Sequence, residues 1–475
     1  MMKRITALVA SAALLSACGD STAVSDLNNV SAETIQGGLN PATGQLLVTG
    51  LFNQYRNSAI GNYITFPETM ARDAYRLDKA EPRYVSEIIG SVQPDAGAFT
   101  GQGVFAGFFV GIRSAHTLIA AVKAADDASG VNAAGRSGLL GIARTMKAVN
   151  YWNVMEMRDS IGMPIDLDRD INADPAPWMC KQNVLAYISA LLDTAATDFA
   201  SAGGAFPVTL PTGYRAIAGT PAGFLKFNRG MKAKVELYRG LSRQGGTGAT
   251  GFNNAITALG ASFMQSTDLT ASGLAQGVYE TYSTAAGETT SSLVDNALHL
   301  NPAVHDSLQA GDLRGSKIVQ ASQTYSIPVG ANTVSTQYDF AGSLGSTSLT
   351  RPLPILNNEE LLLLRAQAAI ELNDLVTART YLNYVRQNSG GLAAYAVFAS
   401  QAAARNALLY EKRYSLLMQG PQRLVDLRAY DRMHASSFTP GTANSPITGD
   451  IFTSALPIPI NELNARGGSV TMTCN

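Results

Sequence analysis

The sequence predicts a mainly α-helical protein built from helical hairpins, with long irregular loops between them. Apolar residues recur at offsets of three and four over much of the chain, which is the spacing of a helix face that packs on a core. Several of these segments are joined by only a few residues, and short connections favour helices that pack as neighbouring pairs. With 46% hydrophobic and 15% charged residues, the 475-residue chain can bury a large core.

The N-terminus predicts a bacterial lipoprotein signal. Lys3 and Arg4 precede a short apolar run, and small residues then lead to Cys18, whose thiol can be acylated. The apolar run is too short for a membrane-spanning helix, which needs about 18 residues. We therefore expect a signal peptide over residues 1–17, lipid such as palmitate on Cys18, and a flexible tether over residues 18–30 rich in Ser, Asp and Asn.

The remaining chain, 31–475, is expected to form a single helical domain. Pro67 is expected in the first turn of the second helix. Stretches rich in Gly, Ser and Thr predict loop insertions; they lie near 200–220, 243–292 and 321–351. The predicted helices in the first half of the chain cover 38–58, 66–80, 104–128, 134–159, 181–200 and 221–242.

The clearest unit follows near the end of the chain. Helices are predicted over 359–372 and 375–386, joined by Asn373 and Asp374. Small residues such as Ala366 allow the two backbones to approach closely, as in a tetratricopeptide unit. We expect further helical hairpins upstream, arranged as a superhelical scaffold, although the repeats do not align well in sequence.

Composition and motifs argue against several functions. The net charge of −1 and the absence of basic blocks speak against nucleic acid as a partner. No nucleophile elbow, zinc-protease helix or phosphate loop is present, and the histidines lack metal or triad spacing, so we predict no enzyme, metal or cofactor. Alternating acids from Asp166 to Asp174 resemble a calcium loop, but Ile171 and Pro177 break its pattern, which leaves a solvated loop as the default.

Two further features are read as structural. Cys180 and Cys474 are expected to form a disulfide in an oxidising compartment, with free buried thiols as the alternative. Acids and bases alternate between Glu411 and Arg428, and we expect them to pair with one another and with helix ends rather than to catalyse a reaction. That charged group also contains Arg413, Arg423 and Asp426.

Five segments of the chain resemble the SusD/RagB family of outer-membrane lipoproteins, and they occur in the same order as in the family. Glu411 to Tyr430 (EKRYSLLMQGPQRLVDLRAY) is similar to the family pattern "E-R-R-x-E-L-x-x-E-G-x-R-x-x-D-L-R". The family glutamates that would fall at Ser415, Gln419 and Gln367 are absent, which suggests a divergent branch. The other four segments are Leu139 to Ile165, Phe227 to Tyr238, Pro354 to Gly390, and Leu456-Pro457-Ile458-Pro459 with Glu462.

The resemblance implies a SusD-like fold and a role without covalent chemistry. Members capture an oligosaccharide or other nutrient for a SusC-like TonB-dependent transporter, so we expect this chain at the outer membrane, anchored by its lipid and exposed on the surface. Sugar binding needs aromatic faces and hydrogen-bonding groups, and aromatic residues in loops are the candidates, whereas the helix around Trp152 should bury that ring. The candidate ligand-binding residues are Trp178, Tyr214, Tyr279, Tyr282, Tyr325 and Tyr338.

Two other functions stay open on sequence alone. The first is a helical-repeat scaffold lipoprotein that binds only protein partners in the cell envelope. The second is a hydrolase on the same scaffold, since two catalytic carboxylates cannot be excluded among 36 acidic residues.

Overall fold

The computed structural model describes residues 38–474 except 91, 168, 170–171, 244, 294–296, 330–331, 343, 345–347 and 434–450. The predictions for residues 1–17, Cys18 and the tether 18–30 lie outside the described residues. The helices are α1 Pro41–Ser58, α2 Asn62–Met70, α3 Ala106–Ala124, α4 Ala133–Arg158, α5 Lys181–Ala200, α6 Thr212–Ala218, α7 Pro221–Leu241, α8 Ala249–Gly260, α9 Ala271–Leu274, α10 Pro302–Asp306, α11 Asn358–Glu371, α12 Leu375–Asn388, α13 Gln401–Ser415, α14 Gln422–Ala429 and α15 Ile460–Ala465.

The strands are short apart from one hairpin, and each sheet has two or three of them. β1 pairs with β5, β2 with β3, β4 with β8 and β6 with β7 in antiparallel fashion, whereas β3 and β9 are parallel. The strands are β1 Ala74–Arg76, β2 Met163–Pro164, β3 Trp178–Met179, β4 Gly277–Glu280, β5 Leu298–Leu300, β6 Ile318–Val329, β7 Asn332–Phe340, β8 Leu353–Asn357 and β9 Met472–Thr473.

Recurring sequence signals start the helices. In α1, Asn40 accepts a hydrogen bond from the backbone N–H of Thr43 at 3.0 Å, and Pro41 follows the cap. Thr220 and Pro221 begin α7 in the same way. A polar cap followed by proline suits a helix start because the first-turn N–H groups have no partner within the helix.

The mainly α-helical prediction is confirmed, and most helix positions agree within a few residues. In the scaffold, α3 packs on α4, α4 on α5, and α5 on α7, while α7 also packs on α8. Close approach is visible at Gly141 in α4, where an added Cβ would lie 2.6 Å from a ring carbon of Phe199 in α5. A side chain at that position would therefore push the two helices apart.

The hairpin of α11 and α12 is confirmed as a packed unit that extends to α13. Asn357 and Asp374 cap the two helices through their side chains, and Asn373 makes the turn with φ +59°. Asparagine tolerates this left-handed backbone better than most residues. The unit has its own apolar cluster, which includes Leu362, Leu363, Ala366, Ala369, Leu382, Val385, Ala404 and Leu408.

The predicted helix over 66–80 is wrong in its second half. Helix α2 starts earlier, so Pro67 lies inside it, and it ends at Met70. Arg72 then takes φ +61°, which turns the chain into β1. β1 gains its hydrogen bonds from β5, more than 200 residues away in sequence, so no local pattern could predict it.

The predicted loop regions contain more regular structure than expected. Residues 200–220 include α6, and residues 243–292 include α8, α9 and β4. Residues 321–351 contain most of the β6–β7 hairpin. Ile327 and Val334 anchor that hairpin by packing in a small apolar cluster with Tyr75.

Buried charges join the helices at the centre of the molecule. Lys234 in α7 lies 3.0 Å from Glu360 in α11 and 3.5 Å from Glu156 in α4. Burial opposes its charge, but the two carboxylates outweigh it and raise the pKa of Lys234 above its usual value. One ammonium group therefore ties three helices together.

The charged group between Glu411 and Arg428 is confirmed as a set of ion pairs, although most partners lie elsewhere in the chain. Arg413 pairs with Asp73 at 2.7 Å, and Glu411 pairs with Arg314 at 2.7 Å. Within the group, Asp426 pairs with Lys412 at 2.6 Å. The first contact docks α13 near β1, the second docks it on the segment before β6, and the third joins α13 to α14.

Candidate ligand-binding site

A cavity of about 430 Å³ opens between α4, the start of α5, the end of α7 and α14. Its volume falls in the range of roughly 300–1,000 Å³ that is usual for small-molecule sites. We call it the Trp152 cavity. Its polar and charged lining residues are Glu156, Asp159, Ser160, Lys181, Ser242, Arg243, Arg428, Asp431 and Ser454.

Two aromatic side chains contribute to the inner wall of the Trp152 cavity. The rings of Trp152 and Tyr238 lie 5.7 Å apart at 33°. The Tyr238 hydroxyl donates to Asp426 Oδ1 at 2.7 Å and accepts from Lys412 Nζ at 2.9 Å, which holds the ring in place. Aromatic walls with polar groups beside them suit a ligand that has both C–H faces and hydroxyls.

A cationic cluster lies at one side of this cavity. Asp159, just after α4, pairs with Lys181 and has Arg428 Nε at 4.0 Å. Burial opposes ionisation of Asp159, but Arg428 and Lys181 lower its pKa below the usual value. Burial also lowers the pKa of Lys181, against the pull of Asp159. Two cations facing one carboxylate give this wall a net positive charge.

Glu156 stands one turn before Asp159 on α4 and has the opposite behaviour. Its carboxyl is buried, and Oε2 accepts from the Tyr63 hydroxyl at 2.6 Å. Burial raises the pKa of Glu156, while Lys234 and the bond from Tyr63 oppose the rise. One cavity therefore contains two carboxyl groups whose pKa values are shifted in opposite directions.

The rim of the Trp152 cavity is polar and accessible. Arg243 and Asp431 form an ion pair at 2.6 Å, and both side chains are more than half exposed. Ser454 is exposed, while its backbone oxygen accepts from Arg428 Nη1 at 2.8 Å. A ligand can therefore meet charged and hydroxyl groups before it reaches the aromatic wall.

Three of the predicted sugar-binding aromatics are buried, and their assignment is corrected. Trp178 is 1% exposed, and its Nε1 donates to the backbone oxygen of Ile161 at 2.7 Å. Tyr214 is fully buried and donates to Glu280, and Tyr282 is 6% exposed. A ring enclosed in this way offers no face to a sugar. The polar, proline-rich sequence around Trp178 does not indicate its burial, because Phe105, just before α3, and Arg466, in the C-terminal segment, cover the ring from distant parts of the chain.

The other three predicted aromatics are half-buried and lie away from the Trp152 cavity. Tyr325 stacks on His299 with ring centroids 3.7 Å apart, and Tyr338 stacks on His305 at 4.1 Å. Both tyrosines belong to the β6–β7 hairpin. Tyr279 is in β4, where its hydroxyl donates to the backbone oxygen of Ala275. The structure thus does not bring the six predicted residues into one site.

The sequence missed the residues that do line the cavity. Trp152 was expected to be buried and is 3% exposed, yet part of its surface faces the cavity. Sequence alone places Tyr238 only at the end of the segment from Phe227 that resembles the family. One feature of the sequence could have indicated the cavity: Trp152 and Tyr238 lie on helices close to charged residues, whereas core aromatics have purely apolar neighbours.

The remaining site predictions concern cysteines and metals. Cys180, just before α5, forms a disulfide with Cys474, with Cα atoms 5.1 Å apart. Within the described ranges, no group of three or more His, Cys, Asp or Glu side chains could hold a metal ion. Asp168, Asp170 and Ile171 of the calcium-like loop lie outside the described residues.

Comparison with known proteins identifies the fold. A SusD superfamily protein of Bacteroides fragilis has 16% identity and a TM-score of 0.66 over 91% of this chain and 98% of its own. A SusD superfamily protein of Parabacteroides distasonis has 13% identity and a TM-score of 0.66 over 90% of this chain and 98% of its own. A SusD-like carbohydrate binding protein of Bacteroides fragilis has 14% identity and a TM-score of 0.63 over 89% of this chain and 98% of its own.

No protein-family model matches the chain, and no curated protein matches its sequence. The structural likeness nevertheless extends over about nine tenths of the chain and nearly the full length of each of these structures. The chain therefore has the fold of the SusD superfamily.

Proposed function

We propose that this chain is a SusD/RagB family lipoprotein that binds an oligosaccharide or another nutrient at the outer membrane and passes it to a SusC-like TonB-dependent transporter. The observation that carries the proposal is the fold shared with SusD-like structures, one of which is described as carbohydrate binding. The lipoprotein signal that ends at Cys18 supports the membrane location. The protein acts by binding, without covalent chemistry.

The Trp152 cavity is the proposed ligand site. Trp152 and Tyr238 supply apolar ring surface for the C–H side of a sugar, and Arg243, Lys181 and Ser160 supply groups that bond hydroxyls. The net positive wall beside Asp159 favours sugars with an electron-rich or acidic substituent.

A steric variant tests this site without disturbing the core. Ser454→Trp places a large ring at the exposed rim, and Ser266→Trp, at an exposed serine outside the cavity, is the matched control. Binding is measured by isothermal calorimetry against a panel of oligosaccharides. We expect Ser454→Trp to weaken binding of the cognate sugar at least tenfold and Ser266→Trp to leave it unchanged. Equal affinity in both variants would remove the cavity from the proposal.

The membrane and transporter parts need separate experiments. Labelled palmitate should be incorporated into the wild type and lost in Cys18→Ala. Affinity purification of the full chain from its native envelope should recover a TonB-dependent transporter. Recovery of other envelope proteins, together with failure of all sugars to bind, would instead support the protein scaffold.

The shifted carboxyl groups favour a second candidate, a glycoside hydrolase. Glu156 with a raised pKa and Asp159 with a lowered pKa in one cavity resemble an acid and a base. Against this reading, Lys234 and Tyr63 engage Glu156, and Lys181 engages Asp159, as in a structural network. Release of products from labelled oligosaccharides, abolished in Glu156→Gln, would favour the hydrolase.

A further inference from the structure

A second cavity, of about 290 Å³, lies on the C-terminal side of α13 and beside α14. Arg413, Arg423 and Arg432 line it, and we call it the arginine cavity. It shares no lining residue with the Trp152 cavity. The structural pairing expected for Arg413 and Arg423 from the sequence leaves the positive charge of this cavity unexplained.

The cavity has an excess of positive charge. The carboxylate of Asp73 faces two of the arginines: its Oδ1 lies 2.9 Å from Arg413 Nε, and its Oδ2 lies 4.0 Å from Arg423 Nε. Arg432 donates to the neutral amide oxygen of Asn406 at 2.6 Å. Among the described residues, Asp73 is the one carboxylate within ion-pair distance of these three arginines, while Glu68 and Asp426 act on Arg413 and Arg423 from farther away.

The neighbouring acids are engaged with other cations. Asp426 lies 2.6 Å from Lys412 Nζ. Asp312 lies 2.7 Å from Arg314 Nη2. These pairings leave more guanidinium groups than carboxylates at the arginine cavity.

Arg423 has hydrogen-bond donors to spare. With the residues that the structure describes, it makes a single long ion pair to Asp73 and no hydrogen bond, and its side chain is 18% exposed. Burial, reinforced by Arg413, lowers the pKa of Arg423 to about 10. Both facts describe a guanidinium group that lacks a full anionic partner.

We propose that the arginine cavity binds a tetrahedral oxyanion, a phosphate or sulfate group. Guanidinium groups bind such anions through paired N–H donors, and an excess of guanidinium groups over carboxylates suits the negative charge of a phosphate or sulfate group. The rings of Tyr410 and Tyr414, 4.8 Å apart, form an adjoining wall.

The test uses inorganic phosphate and inorganic sulfate with the full chain. Calorimetry gives the affinity, and thermal unfolding with and without the anion gives a second readout. Arg423→Gln and Arg432→Gln each remove one cation of the cavity, and Arg379→Gln on α12 removes a charge elsewhere. We expect both cavity variants to weaken anion binding by about tenfold or more and Arg379→Gln to leave it unchanged.

Arg423→Gln has a further expected effect that a purely structural role would not give. Because Arg423 is mostly withdrawn from solvent with incomplete compensation, its removal should leave the melting temperature without anion unchanged or raise it, while reducing the stabilisation by phosphate. No binding of either anion by the wild type, or equal binding by all variants, overturns the proposal.

A sugar phosphate distinguishes the source of the anion. Glucose 6-phosphate bound at least tenfold more tightly than inorganic phosphate, with loss in Arg423→Gln, assigns the cavity to a sugar-borne group. Equal affinity assigns it to the free ion. Because Ser454→Trp alters only the Trp152 cavity, it should leave phosphate binding intact, so the two proposals succeed or fail separately.

Discussion

Replacement of Glu411 by Gln tests the buried ion-pair network most directly. The Glu411 side chain has no solvent-exposed surface, and its oxygens lie 2.7 Å from Arg314 and 3.0 Å from Arg386. Oε1 also accepts from the Tyr395 hydroxyl at 2.7 Å. Glutamine keeps the shape, but it removes the negative charge and turns an N–H₂ group toward one of the arginines. Both arginines then lack their shared counter-ion.

The size of the effect follows from these contacts. Breaking a buried pair typically costs about 3–5 kcal/mol, because the remaining charge stays out of water. For 475 residues, an unfolding entropy of about 2.1 cal/mol/K per residue gives about 1 kcal/mol/K for the chain. The melting temperature should therefore fall by about 3–5 °C in differential scanning calorimetry.

A matched control is Glu288→Gln. Glu288 is half exposed and lies 3.4 Å from Arg56, and such surface pairs are worth about 0–1 kcal/mol. Its melting temperature should change by no more than about 1 °C. If Glu411→Gln changes the melting temperature no more than Glu288→Gln does, buried pairing does not hold α12 and α13 in place.

Three further predictions follow from other contacts. Burial raises the pKa of Glu280 to about 8, above the ordinary 4.5, so the contribution of Glu280 to stability declines as pH rises from 4.5 to 8. In Glu280→Gln the melting temperature should therefore fall less over this pH range than in the wild type. Parallel curves of melting temperature against pH for the two proteins would contradict this. Trp178→Phe loses the hydrogen bond to the backbone oxygen of Ile161 and should lower the free energy of unfolding in urea by about 1–3 kcal/mol. Its sugar affinity should stay unchanged, and weaker sugar binding would refute the structural role. Cys474→Ser should lower the melting temperature under oxidising conditions only, by an amount corresponding to about 2–4 kcal/mol, and should free the Cys180 thiol for alkylation; equal alkylation of the unreduced wild type would argue against the bond.

The helical scaffold was predictable because its signals are local. Helix α5, over Lys181–Ala200, and the hairpin of α11 and α12 have an apolar face at the helical period, and Asn357 and Asp374 cap the two helices of the hairpin. These features act within one turn of the residue that carries them. The β elements depend on partners far away: β1 needs β5, and β3 needs β9.

The candidate site was harder to predict for the same reason. A tyrosine in a Gly-rich or Pro-rich stretch looks accessible, but Tyr214 is enclosed by Phe52 and by the α7 aromatics Phe224 and Phe227, and its hydroxyl donates to Glu280. Conversely, Trp152 looks like a core residue and borders a cavity that exists only where α4, α7 and α14 meet. Exposure is set by how helices are placed against one another, which local sequence does not contain.

The position of Lys234 between two acids has a consequence for how related sequences vary. Losing Lys234 alone would leave Glu156 and Glu360 facing each other without a cation, and losing either acid would leave Lys234 with half of its compensation. Substitutions at these three positions should therefore be accepted as sets, such as a fully apolar trio, rather than one at a time. Statistical covariation among positions 156, 234 and 360 in an alignment of relatives would be the evolutionary trace of this single ammonium group.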